Sequence, residues 1–193
     1  MIDDNIEPLY LTKPDYKIAT KTIKLNCLEL EFQHQYSVLM IGFPSRYDIR
    51  VVGTVPLSIS GEGDTATIHG TGTLKITHSG YHGPQPGGTI IFSEEGTLKA
   101  VIKGKLEEDK SSGNPILKLD IDEFWEVRPN VTITIPGTGM SISQPSQYTP
   151  RHDRGYPFPV IDGYTMEVKG PLPSFGPVVT QGGPKIILHL KKK

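Results

Sequence analysis

Hydrophobic and polar positions alternate with period two along most of this chain, most clearly over Ile116–Val127. The odd positions read Leu117, Leu119, Ile121, Glu123, Trp125 and Val127, the even ones Lys118, Asp120, Asp122, Phe124 and Glu126. Side chains of a strand point alternately to its two faces, so one face is apolar with a single carboxylate in its middle. Burying that carboxylate ionised and alone is too costly, so Glu123 must be neutral, paired or at a working site. Two readings stay open. Glu123 sits in an apolar cavity with a raised pKa and serves as general acid or base. Alternatively the strand bulges at Asp122–Glu123 or lies near an edge, and Glu123 reaches solvent or pairs with a Lys or Arg.

The same period predicts strands elsewhere, and no convincing helix. Between residues 15 and 41, Ile23, Leu25 and Cys27 share one phase, whereas Leu28, Leu30 and Phe32 take the other, which suggests a bulge between Cys27 and Leu28. A separate strand is expected over Ser37–Gly42, then Tyr47–Gly53 and Thr54–Ser60. Along Thr65–His78, residues Ala66, Ile68, Gly70, Gly72, Leu74, Ile76 and His78 share one face. Ser79–Gly88 reads as a loop, and Ser93–Gly96 as a turn between strands Thr89–Phe92 and Thr97–Leu106. Pro115–Val127 follows, then Val131, Ile133 and Ile135. Residues 137–159 are polar, proline-rich and unpatterned, a long loop or lid. Strands at Tyr164–Val168 and Ile186–Leu190 close the chain. Such spacing predicts a single all-β domain over residues 1–193: one antiparallel, strongly curved sheet closing into a barrel or sandwich, without a major helix.

Composition narrows the partners. A formal net charge of -1 offers no global field for nucleic acid. No apolar run is long enough for a membrane span. Gly 21 and Pro 17 are abundant and punctuate strands. The lone Cys27 cannot form an internal disulfide, and reads as a small buried apolar side chain. The opening Met1-Ile-Asp-Asp-Asn5 is no signal peptide; a mature secreted domain and a cytoplasmic protein both remain compatible.

Two segments resemble the insect takeout and juvenile-hormone-binding family. They are Tyr47-Asp-Ile-Arg-Val-Val-Gly-Thr-Val-Pro-Leu-Ser-Ile-Ser-Gly-Glu-Gly63, and Leu117-Lys-Leu-Asp-Ile-Asp-Glu-Phe124 leading into Val131-Thr-Ile-Thr-Ile135. Ile6-Glu-Pro-Leu9 is similar to the segment introducing the family's first strand, so the likeness spans about residues 6–136. The resemblance implies a curved antiparallel sheet wrapped on a long helix, with a tunnel for an apolar ligand. This chain lacks the family's amino-terminal helical segment and cysteine pair, and its tail after Pro136 reads as strand and loop where the family is helical. Its sheet must therefore close on itself or pair with another chain.

Candidate chemistry gathers around Glu123. His78 continues an apolar phase and could share the interior with it, giving a pair suited to proton transfer, with Tyr81 assisting. His78 and His82 have the i, i+4 spacing of zinc ligands, but glycines place them in a turn without a third ligand, so neither metal nor cofactor is expected. For a bound ligand the expected contacts are Trp125, Phe124, Leu119 and Ile121, with Arg151, Arg154 and Tyr156 from the lid. The first expectation is carriage of a small hydrophobic molecule, terpenoid- or fatty-acid-like. An isomerase, cyclase or lyase using Glu123 is the second, and a self-assembling structural protein, a homo-oligomer, the third.

Overall fold

The computed structural model describes residues 28–40, 45–61, 66–85, 88–135, 137–167 and 178–190. Cys27, the bulge expected beside it and the Ile6–Leu9 segment lie outside them. The described residues form strands β1 (Leu28–Met40), β2 (Ser45–Ser60), β3 (Thr67–Gln85), β4 (Gly88–Glu108), β5 (Pro115–Val127), β6 (Asn130–Ile135), β7 (Met140–Pro145), β8 (His152–Pro159), β9 (Tyr164–Glu167), β10 (Val178–Gly183) and β11 (Lys185–Leu190). All but β6 and β7 belong to one antiparallel sheet, ordered β8-β5-β4-β3-β2-β1-β11-β9 with β10 also on β1. This sheet curls until it nearly closes into a barrel. Its two ends meet through Phe158 of β8 and Tyr164 of β9, whose rings lie edge to face 6.4 Å apart.

Several expected breaks are absent. Tyr47–Gly53 and Thr54–Ser60 are one strand, and β1 runs unbroken through Ser37. Of the expected Ser79–Gly88 loop, Ser79–Gln85 is instead the far end of β3 and Gly88 begins β4, and Ser93–Gly96 lies inside β4. Ladder bonds to a neighbour hold these Gly- and Ser-rich stretches extended: Ser79 pairs with Ser93, Gly80 with Phe92 and Ile76 with Gly96. Residues 137–159 are not one loop, since they contain β7 and β8.

The alternation of β5 is realised: Leu117, Leu119, Ile121 and Glu123 are all buried. Aliphatic side chains from β1–β5 and β11, with Phe158 of β8, join them in the core. Burying each large side chain contributes about 1.5–3 kcal/mol, so these faces commit the sheet to curl inward. The curl brings neighbouring strands close at inward-facing glycines. A Cβ on Gly104 would strike the Lys118 carbonyl oxygen and stand 2.8 Å from Leu119 Cδ2. Gly104→Ala is therefore expected to cost about 1–3 kcal/mol, seen as a lower urea midpoint with an unchanged slope.

Candidate functional site

Glu123 is 1% exposed and its carboxylate receives three hydrogen bonds. Oε1 lies 3.1 Å from His34 Nε2. Oε2 accepts from the Tyr148 hydroxyl at 2.8 Å and from the Arg151 backbone N–H at 3.2 Å. The expected bulge at Asp122–Glu123 is absent. The β4–β5 register shifts at Thr97/Leu98, beyond Glu123, and Glu123 stays opposite Ala100. Among the described residues no Lys or Arg side chain pairs with it. Three hydrogen-bond donors do that work instead.

Each donor is placed by local sequence. His34 follows Leu28, Leu30 and Phe32 in the inward phase of β1, three strands away from β4 in the sheet, and so reaches Glu123 across the interior. Strands β10 and β11 continue one register along β1, which sets Pro184 opposite His34. Proline has no N–H to give the ladder. The next amide, Lys185 N–H, donates to His34 Nδ1 at 3.1 Å. Nδ1 accepts that proton, so the imidazole carries its hydrogen on Nε2 and donates to Glu123, an assignment made from the network. Arg151 stands opposite Glu123 across the β5–β8 pair: the Glu123 amide donates to its carbonyl at 2.8 Å, while its own amide donates to the Glu123 side chain. Between Leu119 and Ile121 the register of β8 shifts. Gly155, at φ +64°, takes up the shift, and its N–H donates to Asp120 Oδ1 at 2.8 Å.

Tyr148 belongs to the short segment 146–151, which the same network fastens over one end of the barrel. Ser146 Oγ accepts the Tyr148 N–H at 3.1 Å, and its own hydrogen is free to donate to His78 Nε2, 2.9 Å away. The Ser146 amide donates to the Pro129 carbonyl, and the Arg128 guanidinium grips the Ser146 carbonyl at 2.6 and 2.9 Å. The Tyr148 ring packs against Tyr36, and edge to face on Trp125, which lies under the Arg128 guanidinium. The Arg151 guanidinium binds Asp153 through Nε and Nη2.

The electrostatics follow from this wiring. Burial pushes the Glu123 carboxyl up, but hydrogen bonding and charge from His34, with the bonds from Tyr148 and the Arg151 amide, outweigh it. The group is held below the ordinary glutamate range, opposite to the raised pKa expected of an acid in an apolar cavity. Since His34 Nδ1 is an acceptor here, we give the hydrogen bonds the larger part of that effect. Burial and the neighbouring carboxylate drive the Tyr148 phenol well above its usual value, so Tyr148 stays protonated and donating. Burial lowers His78 to about 4, leaving it neutral at physiological pH.

The expected site residues therefore separate. Glu123 and His78 both face inward, but His78 meets Ser146 rather than the carboxylate. Tyr81 does not assist them: one residue out of phase with Gly80, it lies on the outer face, 42% exposed. Phe124 likewise belongs to the outer face of β5, exposed and against the His152 ring. Leu119 and Ile121 are in the core, and Trp125 and Tyr156 pack against its margin. Arg151 joins the site, whereas Arg154 is outside, paired with Asp122 at 2.7 Å. His82's side chain lies outside the described part; among described residues no group of three His, Cys, Asp or Glu is arranged to hold a metal. His34, Tyr36, Ser146 and Tyr148 were not anticipated. Comparison with family models, with curated proteins and with solved structures finds no match.

Proposed function

We propose that the protein binds a small hydrophobic molecule, terpenoid- or fatty-acid-like, inside the curved sheet beside Trp125 and Tyr148. The observation that carries this reading is the inner face itself. It is largely aliphatic along β1–β5, and Glu123, His34, Tyr36 and His78 gather there beside Tyr148 and Ser146 of segment 146–151. Apolar walls with a few convergent polar groups are the usual composition of ligand sites. Half-buried Trp125 and Arg151 border this cluster. The likeness of residues 6–136 to the takeout family points the same way.

An enzyme reading, an isomerase, cyclase or lyase, draws on one observation: a phenol held by a buried carboxylate. In that reading the ionised Glu123 would be the base that takes a proton from the substrate, and Tyr148 would position the Glu123 carboxylate.

Trp125 is the chain's only tryptophan, so its fluorescence reports on the proposed site. Titration with oleic acid and with farnesol is expected to change that emission saturably, with heat released on binding. Trp125→Phe is expected to remove the signal and keep the heat. Neither heat nor spectral change with either compound would overturn the binding reading. Turnover of a bound compound that Tyr148→Phe abolishes without weakening binding would move the assignment to the enzyme.

A further inference from the structure

We propose that the β6–β7 hairpin is a self-association arm, in which β7 pairs antiparallel with β7 of a second copy of this chain. The inference is independent of ligand binding. The hairpin is a two-stranded sheet outside the barrel's ladder; β6 packs on β4 and β3 with Val131 buried, and among the described residues β7 pairs with β6 alone. Its outer edge therefore presents a row of backbone donors and acceptors. A two-stranded ribbon is marginal in water, and more strands stabilise it.

Its two faces differ. On one, Thr132 and Ser143 hydroxyls meet at 2.9 Å, and those of Thr134 and Ser141 at 2.8 Å. On the other, Ile133 stands opposite Ile142, and Met140 and Ile142 remain 61% and 53% exposed. Exposed strand edges are ordinarily protected by charge, proline or a bulge. Residues 130–145 contain no Asp, Glu, Lys, Arg or His, and proline interrupts β7 only at its last position, Pro145. An edge with no charge repels no copy of itself and offers nothing for a charged partner to recognise.

The edge is also self-complementary. With Ser141 opposite Ser141 on a two-fold axis, Met140 of each copy faces Ile142 of the other on the apolar side. The pairing is isologous: each copy contributes the same β7 edge, so this contact closes at two.

Sedimentation velocity over a concentration series tests this with charge-swapped variants. Ser141 is exposed, so Ser141→Lys and Ser141→Glu should fold as the parent does. The parent is expected to dimerise with rising concentration. Each variant alone sets like charges face to face, and its dissociation constant should rise about fivefold or more. An equimolar mixture of the two should dimerise again. A parent that stays monomeric, variants that associate as the parent does, a mixture that fails to recover, or open-ended growth would each overturn the proposal.

Discussion

Glu123→Ala is expected to cost about 3–5 kcal/mol of folding stability. The loss is not mainly that of one ion. Removing the carboxylate leaves His34 Nε2–H, the Tyr148 hydroxyl and the Arg151 amide without their acceptor, the first two in a fully buried site. An unsatisfied buried donor costs about 1–3 kcal/mol, and several left together account for the total. Glu123→Gln tests the cause, because the amide keeps the shape and one acceptor oxygen but turns an N–H toward one of the donors. Its expected loss is smaller, about 1–3 kcal/mol. Urea unfolding measures both. Hydrogen exchange should also show the Tyr148 and Arg151 amides opening before the β3–β4 ladder, since Glu123 fastens segment 146–151. Replacing the carboxylate and its donors together with apolar side chains should cost far less than removing Glu123 alone. If Glu123→Ala lost under 1 kcal/mol, the network would be incidental.

Acid is expected to weaken the fold in two steps of the same sign. His78 is lowered from 6.5 to about 4 by burial, so the unfolded chain takes up its proton at higher pH than the folded one. Stability therefore falls as pH drops from 6.5 toward 4, by up to about 3 kcal/mol. Glu123 has a depressed pKa, and its contribution is present above the ordinary glutamate value of 4.5 and lost as pH falls through the folded value. Protonating His78 also turns Nε2 from acceptor to donor, so the Ser146 hydroxyl must accept from it instead of donating. Thermal unfolding measured between neutral pH and pH 4 should show the first step. In His78→Gln, which cannot charge, the slope of stability against pH over that range should flatten.

Much of this architecture is legible in the alternation. Strand β5 and the inward direction of Glu123 follow directly from it, as does His78 at the end of the Ala66–Ile76 phase. The missed partners were hidden for different reasons. His34 and Tyr36 continue the phase of Leu28, Leu30 and Phe32, but two polar-tipped residues look like an interruption until a buried acceptor explains them. Tyr148 belongs to a stretch with no period at all, held by Ser146, Arg128 and Glu123, which are distant or irregular in sequence. Local composition also misleads where long strands carry glycine and serine. The Gly80 and Gly96 regions resemble turns, yet each is fixed by a partner strand that no short window contains. Tyr81 and Phe124 show the opposite: their chemistry suggests a site, but their position in the alternation puts them outside.

The ionisation of Glu123 bears on all of this, because the network closes segment 146–151 only around a carboxylate that accepts from three donors at once. Carbon-13 NMR of protein labelled at the glutamate carboxyls follows it directly, with the resonance assigned by its loss in Glu123→Gln. The Glu123 carboxyl is predicted to remain ionised as the exposed glutamates titrate, shifting only at lower pH. A Glu123 resonance that titrates above the ordinary glutamate range would contradict the network and restore a neutral acid poised for proton transfer.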